Sequence, residues 1–224
     1  MFAELGHFLV HAPATLALKL KLPPAALYAT LIERADAAGL ADRRATLVRG
    51  LRGHVVEIGC GTGAMFGHYT GPDVRVTAVE PDEAFGARAV PAAAAAAVPI
   101  EVVFASGDAL PLPDASCDAA VLALVLCSVR SVDAVCAEVA RVVRPGGAVR
   151  LLEHVRSPRA VAGALMRAVD PLWHALNGQG CHLHRDPLPA LARAGLRVDA
   201  IEPFQIWSAG LPAFPMRLIT AARA

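Results

Sequence analysis

The five cysteines, at 60, 117, 127, 136 and 181, form no CxxC pair. Disulfide scaffolds and zinc ribbons pair their cysteines, so neither class fits, and scattered thiols beside apolar residues set the expectation of a reducing, cytoplasmic compartment. Clustered lysine and arginine are missing too. Net charge is +1 and aromatics are 5% of residues, so the chain has neither the basic patch nor the stacking rings on which nucleic acid docks. No apolar run reaches the roughly 18 residues of a spanning helix. The opening stretch carries Glu4, His7 and His11 and no basic start, unlike a secretory signal. A helical arm is expected over residues 1–22; residues 2–20 could touch a membrane interface or close over a site. There is no internal repeat.

What is present is apolar and alanine-rich. Hydrophobic residues make up 55% of 224, above ordinary usage, and the length suits one α/β core. Residues 55–63 read VVEIGCGTG, a β-branched run ending in a glycine loop, with a helix-compatible stretch behind it. A second strand, Val74–Val79, ends at Glu80, seventeen residues beyond Gly63. Bare backbone beside an acid at a strand tip makes a nucleoside-binding corner: the glycines admit the ligand and the acid accepts ribose hydroxyls. Gly59, Gly61 and Ala64 match the dinucleotide fingerprint only loosely, and no Tyr-x-x-x-Lys hydride-transfer set accompanies them.

Two further segments extend the pattern. Residues 100–104 read as a third strand with Asp108 just past its end, and Cys117–Ala123 as a buried fourth. Val132, Val135, Cys136, Val139, Val142 and Val143 recur at helical spacing after an N-cap at Ser131. Pro145-Gly146-Gly147 is expected to stop that helix before a fifth strand, Ala148–Glu153. The ordered set VVEIGCGTG, VTAVEPD, GDALPLPDASCD and RVVRPGGAVRLLEHV resembles the motifs of class I S-adenosylmethionine (SAM) methyltransferases. LVLCSV, LLEHV and DPLWHALNGQGCHLHRD are similar to the methyltransferase-like alkyl-thiol S-methyltransferases, whose animal members carry an N-terminal membrane anchor that is not evident here. The likeness spans about residues 28–205.

The resemblance implies a Rossmann-like class I methyltransferase fold: a seven-stranded, mostly parallel sheet in the order 3-2-1-4-5-7-6 with helices on both faces. The alternating elements imply the same α/β layout with right-handed crossovers. A helical arm or lid would occupy residues 1–50 and the catalytic domain 51–224. SAM would be held by Glu57, Gly59, Cys60, Gly61 and Gly63, by Glu80 and Pro81, by Gly107, Asp108 and Ala109, and by Leu124 and Cys127. The loop N–H groups would meet the methionine carboxylate, and the Ala109 N–H an adenine nitrogen.

Acceptor-side candidates follow. His154 stands beside Glu153 after strand five. Asp170, Trp173 and His174 share a helical face, where the acid could orient the imidazole as a general base. Tyr28 and Trp173 are candidates to contact substrate. Cys181, His182 and His184 are metal-ligand types, but no second cluster completes a zinc set, and no metal is expected. Arg185 and Asp186 are expected to pair or to cap the next helix. A thiol ionises near pH 8.5, so a small thiol acceptor is compatible with a site lacking an obvious base. O-, N- or C-methylation, and a SAM-binding protein that does not methylate, remain open.

Residues 25–50 read as one or two helices broken at Gly39. The alanine tract 91–99 reads as the end of the helix after Glu80, and residues 187–194 as a helix closed by Gly195. Leu196–Ile201 and Ile206–Leu218 read as the last strands.

Overall fold

The computed structural model describes residues 20–177, 180–208 and 213–224, so the arm expected over residues 1–22 lies almost wholly outside the described residues. Two helices lead in, α1 (Pro24–Ala35) and α2 (Ala41–Val48). A π-turn joins them, in which Gly39 takes φ 109°, so the break falls where only glycine is at ease. The body then runs β1 (His54–Ile58), β2 (Arg75–Val79), α3 (Glu83–Ala94), β3 (Ile100–Val103), β4 (Cys117–Ala123), α4 (Val132–Val142) and β5 (Val143–His154). It closes with α5 (Ala160–Asn177), α6 (Leu188–Arg193), β6 (Leu196–Gln205) and β7 (Pro215–Arg223).

The seven strands form one sheet in the order β3-β2-β1-β4-β5-β7-β6. Strands β1 to β5 are parallel, and β7 pairs antiparallel with β5 and β6. Helices cover both faces, which is why the central strands read as unbroken apolar runs. Alternate residues sort to opposite cores. Val55 packs with Leu40, Leu47 and Phe66 on one face, while Val56 and Ile58 pack with Val135, Val139 and Leu191 on the other. Fully parallel strands place every β1–β4 carboxyl end on one rim, where the glycine loop and the strand-tip acid sit.

Local differences from expectation have physical causes. No α-helix follows the glycine loop. Gly59, Gly61 and Gly63 hold φ of 68°, 57° and 84°, the chain turns tightly, and only a 3₁₀ turn (Phe66–His68) forms before it leaves for β2. Ser131 caps α4, accepting from the Ala134 amide at 3.1 Å. The helix nevertheless ends at Val142, three residues before Pro145, and β5 takes in the Pro145-Gly146-Gly147 stretch that was expected to be the stop. Arg144 precedes a proline and is disfavoured in helical conformation, and Val143 bonds in register with Cys117. Helix α3 runs through Pro91 but ends at Ala94, so the rest of the alanine tract is not helical. The last strand starts at Pro215 rather than Ile206, and its alanine-rich end is held in the sheet by partners on both sides.

Candidate active site

The glycine loop is folded onto the end of β2. The Gly59 and Cys60 amides both donate to the Val79 carbonyl, at 2.8 and 3.1 Å, and the Gly63 amide to the Cys60 carbonyl at 2.9 Å. Gly61 N donates to Glu80 Oε2 at 2.8 Å, and Asp82 N to Glu80 Oε1 at 3.1 Å. Four of the loop amides expected to meet a ligand carboxylate, those of Gly59, Cys60, Gly61 and Gly63, are therefore already spent inside the loop. Hooking the loop to β2 is what consumes them.

Each glycine has its own reason. A Cβ on Gly59 would lie 2.3 Å from the Val125 side chain, and one on Gly63 2.8 Å from the Phe66 ring. On Gly61 it would meet only the Tyr28 ring at 3.5 Å and Phe85 at 4.0 Å, so this glycine alone presents open backbone. Tyr28 on α1 stacks edge-on against Phe85, ring centroids 5.4 Å apart. Burial pushes its hydroxyl up to about 12. Pro81 and Asp82 follow Glu80, and Asp82 caps α3 through the Ala84 and Phe85 amides.

Three buried carboxylates converge on this rim. Burial raises Glu80, against the hydrogen bonds of Asp82 and Gly61. Glu57 on β1 accepts the Tyr69 hydroxyl at 2.8 Å, and burial raises it to about 8. Glu153 on β5 accepts the Val125 and Leu126 amides through Oε1, at 3.1 and 3.0 Å, while its Oε2 is buried without a partner. Burial lifts Glu153 to about 7. Arg44 on α2 is a fourth buried charge. It bonds Asp36 at 2.9 Å but leaves Nη2 without a partner, and it is close enough to Tyr28 and Glu57 to act on their ionisation. Sequence reading missed Arg44, which stands in no motif, and the anchoring role of Glu153, whose LLEHV motif does not show which amides it accepts.

Past β3, a Cβ on Gly107 would come within 2.7 Å of Ile58, which draws the Asp108 loop onto the end of β1. Asp108 is half-buried there. The Ala109 amide donates to the Ser106 carbonyl at 3.1 Å, so the N–H offered to an adenine is used in a turn. Beyond β4, Leu124 holds φ 61°, rare outside glycine, and its amide bonds the Leu152 carbonyl at 2.7 Å. That kink turns Cys127 into the rim.

The acceptor-side candidates regroup. Asp170 does not orient His174. Its Oδ2 lies 2.8 Å from His182 Nδ1 and 3.0 Å from His184 Nδ1, and its Oδ1 accepts the Leu183 amide. Burial opposes its charge, but the bonds from His182, Leu183 and His184 outweigh this and hold the carboxyl below its usual range. His174 stacks on His182 instead, centroids 4.2 Å apart. The helical spacing was right, but the loop after α5 folds back and supplies nearer partners. Trp173 packs edge-on against Phe214 at 5.6 Å, and Phe214 lies 5.3 Å from the His154 ring. His154 Nε2 is 3.0 Å from Cys181 Sγ. Burial disfavours charge on His154, yet Cys181 raises it overall. Arg185 does not pair with Asp186. It donates to the Leu126 and Val129 carbonyls at 2.8 and 2.6 Å, clamping the segment after β4, while Asp186 receives the Leu188 amide and Arg217. A cavity of about 560 Å³ beside β6 and β7 is lined by Leu188 and Arg217 but by none of the candidate cofactor or acceptor residues.

The methyltransferase-domain family matches residues 56–151. Human thiol S-methyltransferase TMT1A is 38% identical over 144 residues, covering 62% of this chain and 58% of that protein. Rat thiol S-methyltransferase TMT1B is 36% identical over the same length and coverage. The chain thus spans about three-fifths of the length of these curated relatives. Among solved structures, geranyl diphosphate methyltransferase with sinefungin superposes with TM-score 0.66 at 17% identity, covering 84% of this chain and 77% of that one. The cyclase SpnF does so with TM-score 0.66 at 18%, covering 84% and 80%. The fold is that of the Rossmann-like class I methyltransferases, and residues 56–151 match the methyltransferase domain. Within that class, the chain is similar to the thiol S-methyltransferases.

Proposed function

We propose that the protein transfers the methyl group of SAM to a small, fairly apolar thiol. The observation that carries this reading is the 38% identity to a thiol S-methyltransferase over 144 residues. A reducing, cytoplasmic setting, read from the scattered cysteines, belongs to the same proposal.

The residues present fit the cofactor on their own chemistry. SAM supplies, when bound, a methyl on a positively charged sulfur. Glu80 uses two of a carboxylate's roughly four acceptor positions internally and can accept ribose hydroxyls with the rest. Gly59, Cys60, Gly61 and Gly63 form the cradle, with Gly61 its open face. Arg44, with a buried unpartnered Nη2, takes the methionine carboxylate that the loop amides cannot. Glu57, further back on β1, lines the methionine end of the cradle. Pro81, Gly107, Asp108 and Ala109 border the adenine, and Leu124 and Cys127 form the floor.

On the acceptor side, Tyr28 and Trp173 close over the apolar group. His154 favours ionisation of the acceptor thiol, while Asp170 and His174 hold the segment after α5 in place. Little else is needed: alignment alone supplies up to about 7–11 kcal/mol. A second reading is SAM binding without methyl transfer, since the same fold also occurs in a cyclase.

S-adenosylhomocysteine release should be measured with SAM and a panel of thiols, phenols, amines and phospholipids. Release only with thiols supports the proposal. Release only with another acceptor class moves the reading to O-, N- or C-methylation, and tight SAM binding without product from any acceptor favours the second reading.

A further inference from the structure

One nucleophile at the rim has no part in that chemistry. Cys181 Sγ lies 3.0 Å from His154 Nε2 of β5, and the Cys127 thiol beyond β4 and Trp173 of α5 act on its ionisation. A sulfur paired with an imidazole has the surroundings of a thiolate. The donor atoms of Cys127, His154 and Cys181 all lie within 4.8 Å of one another. Cys181 beside it and burial both raise Cys127, which is held as the protonated thiol. Cys60, Cys117 and Cys136 are buried too, and burial raises each of them.

We propose that Cys181 is a hydroperoxide-reactive thiolate that, once oxidised, closes a reversible disulfide with Cys127. In the first step the Cys181 sulfur attacks the terminal oxygen of a hydroperoxide. The S–O bond forms, the O–O bond breaks, and the leaving alkoxide or hydroxide takes the proton from the His154 imidazolium. Cys181 becomes a sulfenic acid. In the second step Cys127 attacks that sulfur, the S–S bond forms, the S–O bond breaks, and water leaves with the Cys127 proton. Two thiols have been oxidised by two electrons, and the hydroperoxide has been reduced to an alcohol, or water, plus water.

The geometry permits closure. An S–S bond of about 2.05 Å requires the sulfurs to approach by no more than roughly 3 Å. Cys181 sits outside the sheet, next to Gly180 at φ 70°, in a segment joined to Cys127 by the His182 amide bond to the Cys127 carbonyl at 2.8 Å. Closing the disulfide removes the anion from His154 and ties the end of β4 to the segment after α5.

The test reads thiols and so is independent of the acceptor. Reduced full-length protein is treated with hydrogen peroxide, blocked with iodoacetamide and digested without reductant for mass spectrometry. The expected product is a Cys127–Cys181 cross-linked peptide, reversed by dithiothreitol, with Cys60, Cys117 and Cys136 unoxidised. A chain that keeps all five thiols, or a linkage that excludes Cys181, overturns the proposal. In Cys127→Ser the cross-link should give way to a dimedone-trapped sulfenic acid on Cys181; no adduct there overturns it as well. Cys181 alkylation should have its midpoint below the ordinary thiol value of about 8.5. That midpoint is set among His154, Cys127, Glu153, Arg185 and the Trp173 indole, and it should rise in His154→Gln. An ordinary midpoint unaffected by that change refutes the thiolate assignment.

Discussion

Glu80 Oε2 accepts the amide of Gly61 at 2.8 Å, tying the acid at the tip of β2 to the least crowded of the glycines at 59, 61 and 63. The same carboxylate positions the loop and, in the proposed function, offers its remaining lone pairs to a ribose. Glu80→Ala should raise the Kd for SAM roughly 100-fold, since charge-assisted hydrogen bonds contribute about 1.5–3 kcal/mol. Isothermal titration checks this, and unchanged affinity would show that the ribose lies elsewhere.

The glycines of the loop should fail in different ways. Gly59→Ala places a Cβ 2.3 Å from Val125 at φ 68°. Overpacking of about 1–3 kcal/mol and a left-handed penalty of about 1–2 kcal/mol should lower the melting temperature clearly. Gly61→Ala meets only the backbone penalty, so its melting temperature should fall less while SAM affinity falls more. Equal thermal losses in both variants would contradict this division of roles.

Glu57 predicts a pH dependence of stability. Its folded pKa is raised from 4.5 to about 8 by burial, so between those values the native state binds more protons than the unfolded chain. Stability therefore decreases as pH rises through that window. Melting temperatures from pH 5 to 8 should fall less steeply in Glu57→Gln, which can still accept the Tyr69 hydroxyl. Glu153, raised to about 7, leaves a residual slope in that variant. Identical slopes would mean that Glu57 is not the titrating group.

Asp170 carries the opposite sign. Its carboxyl is held low, so the stability it contributes is present above the ordinary aspartate range and is lost as pH falls through the depressed value. Asp170→Asn should weaken the hold on His182 and His184, raise the KM for the acceptor several-fold, and leave SAM affinity unchanged. A loss of SAM affinity instead would place this segment on the cofactor side.

Much of the site was legible because it is local. The strand–glycine–strand order, Glu80 at its tip, the β4 boundaries and the Ser131 cap all follow from short-range periodicity and turn chemistry. The β7 boundaries were not legible, because an alanine-rich segment such as Leu218–Ala222 has little intrinsic strand preference and is held by β5 and β6. The missing helix after Gly63 was hidden for a similar reason. Met65 and Phe66 are pulled into the core, which ends the turn early.

The sequence by itself determined the strand–glycine loop–strand corner and the acid at the tip of β2, because these depend on residues close along the chain; the seven-strand order came from the family resemblance. Only the tertiary structure decided which amides the loop keeps for itself and that Arg44 brings an unpartnered guanidinium nitrogen to the buried rim. It also decided that Asp170 belongs to His182 and His184, and that Cys127, His154 and Cys181 meet. Those contacts join the ends of β4 and β5 to the segment after α5. Their partners lie 27 residues apart in the case of His154 and Cys181, a distance that no periodicity reports and only the folded sheet closes.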